Sequence, residues 1–368
     1  MSGAQSFLLS RRLGGILRRR GGARSRHFAL ALLLLCVPAR ATRPLELPAP
    51  DFPKGLVWLN SPELSLRGLR DRNVMVAAFV SLSAPNSLRM IPKLEAWSRR
   101  YSSAGLIVIA IHTPDYEFEK DPAVVKAEFQ RLGVSIPVVL DNQRALWKDY
   151  GAQGWPSLFL IDPKGKIVFD RLGEGRSQEF EIELIGALER FNGYSPKDYW
   201  PAPDPADSDC GRATTTRYFG DARGQARSLE TERGRVLVGS NDGRLVYKGI
   251  WKSTLESLRS QRASHDGSDF IRSIYRGAAS LALARSSGKP VPVYVKQDEL
   301  WLNEKNAGPD IRFDKSKRSF FQVSAARFYG ISRNPSDDVH DLVLYPAAPG
   351  LEIYALDFAN ACQDRTGR

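Results

Sequence analysis

The stretch from Val74 to Pro92 constrains the fold more than any other part of this 368-residue chain. Its first half, Val74-Met75-Val76-Ala77-Ala78-Phe79-Val80, is an unbroken run of small and β-branched apolar residues, the composition of a strand buried on both faces. Ser81 to Asn86 then carries turn chemistry and a helix start. Ser83 is the expected N-cap, and Pro85 suits a first turn, where N–H groups have no helical partner. From Ser87 to Tyr101 the spacing turns helical, with Leu88, Ile91, Leu94 and Trp97 three residues apart and Pro92 inside.

The following residues extend this unit. Trp58-Leu59-Asn60 and Leu64-Ser65-Leu66 form a short opening before it, and Leu106-Ile107-Val108-Ile109-Ala110-Ile111-His112 is a second buried strand after it. Strand, helix, strand in that order makes a right-handed crossover. Asp121-Pro122 opens a helix to Leu132. Ile136 to Leu140 is a third strand, Arg144 to Tyr150 a short helix, and Gly154 to Asp162 a turn and a further strand. Pro163-Lys164-Gly165-Lys166 is a hairpin turn into Ile167-Val168-Phe169, and Gln178 to Phe191 is a closing amphipathic helix.

Three features together resemble the TlpA/DipZ-type thioredoxin-like (redoxin) proteins over about residues 56 to 192: the strand-to-helix unit with Pro92 in its register, the run His112-Thr113-Pro114-Asp115-Tyr116-Glu117-Phe118-Glu119-Lys120-Asp121-Pro122, and Trp155-Pro156 where that family has its cis-proline. The resemblance implies a thioredoxin fold with a disulfide-exchange site at the start of the helix. In that family a C-x-x-C pair stands five residues before the proline. Counted back from Pro92, the positions here read Ala84-Pro85-Asn86-Ser87. Disulfide exchange needs a thiolate, which the positive end of a helix stabilises. Ala84 offers no nucleophile, the Ser87 hydroxyl cannot form a disulfide, and no cysteine lies between Thr42 and Asp209.

The three cysteines are Cys36, Cys210 and Cys362. Cys36 falls in the apolar run Phe28 to Pro38, which is too short to span a bilayer comfortably, follows a basic leader and precedes Ala39-Arg40-Ala41, a small-x-small cleavage pattern. Residues 1–41 are therefore expected to be a signal peptide, and the chain to be exported to a periplasmic or extracellular location; an uncleaved membrane anchor is the other reading. That leader carries eight arginines and no acid, so the formal net charge falls from +12 to +4 without it, too little to argue for nucleic acid. In an exported protein the remaining pair, Cys210 and Cys362, is expected to form a structural disulfide; two free thiols remain the alternative.

Residues 42–56 read as an extended lead-in, 57–193 as the α/β thioredoxin-like domain, 194–209 as a Pro- and Asp-rich linker and 210–368 as a second domain. In this last part the grammar changes. Val236 to Gly239, Arg244 to Trp251, Ser280 to Ala284, Val291 to Lys296, Glu299 to Leu302, Ile311 to Phe313, Phe320 to Tyr329, Leu342 to Tyr345 and Leu351 to Phe358 are short apolar or aromatic runs separated by turns. They predict an all-β sandwich. The order also resembles the jelly-roll module, similar to carbohydrate-binding modules, that follows DipZ-type thioredoxin domains.

His112, at the C-terminal end of a central strand, is a candidate binding residue or proton carrier, weighed against a structural histidine fixed by hydrogen bonds. His265 and His340 read as surface residues, and Glu117, Glu119, Asp121 and Asp141 as a solvated acidic face. No clustered Cys/His pattern suggests a metal, and no cofactor fingerprint is present. Trp251, Tyr294, Trp301, Tyr329 and Tyr345 are either core aromatics or a sugar-stacking platform. Three functions follow: a binding module without redox chemistry that holds a protein or peptide at Trp155, Pro156, His112, Pro85 and Asn86; an oxidoreductase using Cys210 or Cys362; and a carbohydrate-binding protein working through the β-domain.

Overall fold

The computed structural model describes residues 47–196, 199–202, 211–228, 242–264 and 267–366. The expected leader, Cys36, Cys210, the expected strand 236–239 and His265 lie outside the described residues.

The first half is built on a sheet in the order β1-β7-β6-β3-β4-β5-β2. These strands are β1 (Leu47–Pro48), β2 (Trp58–Leu59), β3 (Val74–Val80), β4 (Leu106–His112), β5 (Val138–Leu140), β6 (Ser157–Ile161) and β7 (Lys166–Leu172). Five helices accompany them: α1 (Leu66–Leu69), α2 (Pro85–Tyr101), α3 (Pro122–Arg131), α4 (Ala145–Asp149) and α5 (Ser177–Asn192). β3 is buried at every residue, as its sequence requires. Because side chains alternate along a strand, Val74, Val76, Ala78 and Val80 enter one core with Leu94, Trp97, Phe129 and Leu184, while Met75, Ala77 and Phe79 enter another with Leu146, Tyr150 and Ile161. The central strands β3, β4 and β5 are parallel, and β6 joins β3 antiparallel.

The second half is an all-β sandwich. Its strands are β8 (Arg217–Tyr218), β9 (Arg227–Ser228), β10 (Leu245–Lys248), β11 (Trp251–Ser253), β12 (Leu258–Ser260), β13 (Phe270–Arg276), β14 (Ala279–Ser286), β15 (Val291–Gln297), β16 (Leu300–Trp301), β17 (Ile311–Phe313), β18 (Ser319–Val323), β19 (Arg327–Arg333), β20 (Val339–Pro346) and β21 (Leu351–Ala359), followed by α6 (Ala361–Thr366). One sheet runs β17-β18-β15-β20-β13-β10-β9 and the other β11-β12-β21-β14-β19. Val293, Val295, Ile271, Tyr275 and Leu344 from the first meet Ala282, Tyr329, Ile353 and Leu356 from the second in a single core.

Two expectations are corrected here. The run Phe320 to Tyr329 is not one strand: it turns at Ser324-Ala325-Ala326, so β18 and β19 belong to different sheets. The aromatic set also divides. Tyr329 is core, Trp251 lies in the sheet opposite that of Tyr294, Trp301 and Tyr345, and only these last three share a half-buried outer face.

The two halves touch. Leu88, Tyr116 and Phe118 pack against Leu283, Phe328 and Tyr354 of the sandwich, and Tyr354 meets the Tyr116 and Phe118 rings edge-on at 5.2 and 5.0 Å. Within 194–209, Tyr199 packs on the first half: its hydroxyl donates to Glu181, and Arg100 lies 3.8 Å above its ring.

Candidate functional site at the mouth of helix α2

Strand register gathers the site. Val80, the last residue of β3, pairs with His112, the last of β4. Phe79 pairs with Ser157, which sets Pro156 level with Val80. The start of α2, the end of β4 and the Trp155–Pro156 bond, which is cis, thus lie at one end of the sheet.

Helix α2 begins at Pro85 with Ala84 as N-cap, and no side chain caps it. The expected cap, Ser83, is a correction: its hydroxyl donates to Glu119 instead. Ser87 is fully buried, and its hydroxyl accepts from the Ser81 backbone N–H at 3.2 Å. A serine becomes a nucleophile when a base takes its proton, and no base hydrogen-bonds Ser87 among the described residues. Asn86 is likewise occupied, accepting from Arg89 at 2.5 Å. Arg89 is clamped in turn by Glu174, and lies 4.0 Å from Asp357 of the sandwich.

Glu119 is the larger correction. It was expected on a solvated face, yet it is wholly buried, and so nearly is Asp141. One Glu119 oxygen accepts from the Ser81 hydroxyl at 2.8 Å, the Leu82 N–H at 3.0 Å and His112 Nε2 at 3.2 Å. The other accepts from the Ser83 hydroxyl and from the N–H groups of Asp115 at 3.3 Å and Tyr116 at 3.2 Å. Burial alone would push this carboxyl up. Its hydrogen bonds from His112 and the two serines outweigh burial and hold it below the usual carboxylate range. One carboxylate therefore ties the turn entering α2 to the turn leaving β4. His112 serves it as a fixed donor, with Nε2 carrying the proton and the ring set edge-on to Phe129 at 5.8 Å.

Asp141 organises the opposite wall. Its carboxylate accepts from the Leu146 and Trp147 N–H groups at 3.2 and 2.9 Å and starts α4, while burial pushes its own pKa up. Trp147 then packs against Trp155, the rings 4.7 Å apart and tilted by 39°. Arg144, in the left-handed region at φ 56°, lies over both indoles. Trp155 itself precedes the strand ladder, which starts at Ser157. On the remaining side Arg223 of the sandwich binds Asp115 through both carboxylate oxygens, at 3.1 and 3.0 Å. Burial still pushes Asp115 up, against the pull of Arg223.

Ala84, Pro85, Asn86, Ser87, His112, Trp155 and Pro156 are thus brought to one end of the sheet, but His112, Ser87 and Pro156 are buried beneath its surface, while Trp155 is half-buried. Sequence reasoning missed Glu119, Arg89, Arg144, Trp147 and Arg223. Nothing in the sequence marks Glu119; it is the short 3-10 turn Glu117–Lys120 that brings it inward beside His112. Cys362 is disulfide-bonded and buried, while Cys210, its expected partner, lies outside the described residues. No trio of His, Cys, Asp or Glu is arranged to hold a metal among the described residues, and no described helix is long and apolar enough to cross a membrane.

This mouth, on a sheet with flanking helices and a cis-proline, defines a thioredoxin-like domain. Residues 46–183 match the family model described as Redoxin, and this part of the chain is a redoxin domain. Protein DipZ of Mycobacterium tuberculosis is 40% identical over 180 residues, covering 47% of this chain and 25% of that protein. The thioredoxin-like protein SkfH of Bacillus subtilis is 28% identical over 124 residues, covering 34% of this chain and 85% of that protein. Among solved structures, a thiol-disulfide isomerase from Corynebacterium glutamicum superposes over 40% of this chain and 98% of its own, with a TM-score of 0.34 at 24% identity. The chain spans about a quarter of the length of the DipZ proteins it matches.

Proposed function

We propose that this chain is an exported thioredoxin-fold binding module that works without thiol chemistry and holds a protein or peptide segment at Trp155–Pro156. One observation carries the reading. The helix mouth keeps its frame and its cis-proline, while Ala84 and the buried, base-free Ser87 stand at the two positions a disulfide would need. A backbone lying beyond a strand ladder pairs with an extended peptide as another strand does, and Trp155 occupies such a position. The basic leader with its short apolar run supports export.

The alternative of a thiol–disulfide oxidoreductase draws on the family, and a working thiol would have to come from Cys210 or Cys362. The buried disulfide at Cys362 speaks against it. Insulin reduction by the purified full chain is the test. Turnover above the background of a Cys210→Ser, Cys362→Ser variant overturns the binding-module reading; background turnover together with capture of extended peptides supports it.

A second reading, carbohydrate binding by the sandwich, is favoured by one arrangement. Phe320, Tyr294 and Tyr345 stand on adjacent strands in register, half-buried on the outer face of one sheet, with Trp301 edge-on to Tyr294 at 6.1 Å. Glycan-array binding that is lost in Tyr294→Ala supports it.

A further inference from the structure

Three arginines reach the mouth of α2, and two of them are claimed by acids. Arg89 is held by Glu174 through Nε at 2.6 Å and Nη2 at 2.9 Å. Arg223 is held by both oxygens of Asp115. Arg144 differs. Its Nη2 donates to the Pro114 carbonyl at 2.6 Å, its guanidinium lies 5.9 Å from the Trp147 ring and 5.3 Å from the Trp155 ring, and no carboxylate lies within ion-pair distance of it among the described residues.

The neighbouring acids are engaged elsewhere. Asp141 accepts from the N–H groups that open α4. Asp115 feels the Arg144 charge but accepts its hydrogen bonds from Arg223, and Glu119 lies buried under its six donors. Arg144 is therefore a fixed, half-buried cation, oriented by a carbonyl and two indoles, immediately beside the residue that precedes the cis-proline. A guanidinium so placed has lost little freedom to lose on binding, and its planar edge suits a carboxylate. The absence of a thiol at positions 84 and 87 adds to the argument. A redox protein captures its partner through a mixed disulfide, whereas this mouth has only non-covalent contacts to offer.

We infer that the segment received at Trp155–Pro156 is acidic, one of its carboxylates pairing with the Arg144 guanidinium while its backbone runs past Trp155. This inference rests on the peptide-binding reading above and names the class of peptide.

The experiment titrates the full chain with two extended peptides of equal length, one with Glu and one with Gln at the same alternating positions. Indole fluorescence and calorimetry follow binding. The Glu peptide is expected to bind about tenfold more tightly at low ionic strength, the scale of one charge-assisted pair. That advantage shrinks as salt is added. In Arg144→Gln it disappears, the two peptides then binding within about twofold of each other; in Arg144→Lys part of it survives, since the charge remains but the planar fork is lost. Equal affinities for the two peptides in the unsubstituted chain, or an undiminished preference in a folded Arg144→Gln variant, overturn the inference and leave the peptide-binding reading standing. Failure of both peptides to bind removes the two together.

Discussion

Replacing Glu119 is the sharpest test of how the mouth is built. In Glu119→Ala, the hydroxyls of Ser81 and Ser83, the N–H groups of Leu82, Asp115 and Tyr116, and His112 Nε2 lose their shared acceptor inside the protein. A hydrogen bond to a charged group contributes about 1.5–3 kcal/mol, but six bonds to one carboxylate do not add, and removing one side of a buried charged contact costs about 3–5 kcal/mol. We take about 4 kcal/mol, against a total stability of about 5–15 kcal/mol for a domain. That is close to three powers of ten in the local opening equilibrium. Hydrogen exchange read by mass spectrometry reports it directly, because three of the donors are amides: segments containing Leu82, Asp115 and Tyr116 should exchange about a thousandfold faster. Glu119→Gln should fall between, since its amide nitrogen meets donors where an oxygen stood. The pH dependence has a definite sign. The folded-state pKa lies below the ordinary value, so the stabilisation is present above the unfolded pKa and is lost as pH falls through the folded one. Acid unfolding of the native chain should carry this step, and Glu119→Gln should lack it. Exchange within about threefold of the native chain at all three amides would refute the view that Glu119 organises the mouth.

Ala84→Cys combined with Ser87→Cys should form a disulfide and confer insulin reduction, because the two positions sit at a helix start where a thiolate is stabilised; an oxidised pair with no exchange activity would count against the frame being intact. Asp357 is buried with one carboxylate oxygen that accepts no hydrogen bond and only faces Arg89 at 4.0 Å, and burial pushes its pKa up against the pull of Arg89. The sign is opposite to that of Glu119: its cost is absent below the unfolded pKa and grows as pH rises through the folded one. Asp357→Asn should therefore raise the melting temperature at pH 7 and leave it unchanged near pH 3, as a calorimetric pH series would show. Tyr354→Ala removes the ring packed on Tyr116 and Phe118, and should cost about 3–5 kcal/mol. Limited proteolysis should then cut between the two halves faster than in the native chain.

The backbone of the first half was legible because its signals are local. Seven consecutive apolar residues in β3 can only be a strand covered on both faces, and the Pro85 and Pro92 register starts α2 within two residues of the expected place. Asp121 was legible as a helix start and caps α3 by accepting from the Ala123 N–H. What escaped was set by tertiary context. Ser83 has the chemistry of an N-cap, but a buried carboxylate 36 residues away outcompetes the helix for its hydroxyl. Glu119 reads as surface in a run with Glu117 and Lys120, because nothing in that run tells which acid turns inward. In the second half β13 was overlooked because its inward-facing positions include Ser273, which breaks the apolar alternation while fitting the core as a small residue.

The sandwich bears on the mouth as well as on its own core. Arg223 pairs with Asp115, a half-buried acid beside the buried Glu119. Tyr354 backs Tyr116, whose own N–H is one of the Glu119 donors. Asp357 lies against Arg89, which in turn holds Asn86 in the first turn of α2. Each path runs from a sandwich side chain, through one residue of the redoxin domain, to a group at the helix mouth. Asp115 is shared between the halves: it accepts its hydrogen bonds from Arg223 and is also drawn down by the charge of Arg144, so both halves set the field at the mouth. The helix mouth, with Ala84 and Ser87 at its start and Trp147, Trp155 and Arg144 beside it, is thus shaped by side chains of both halves.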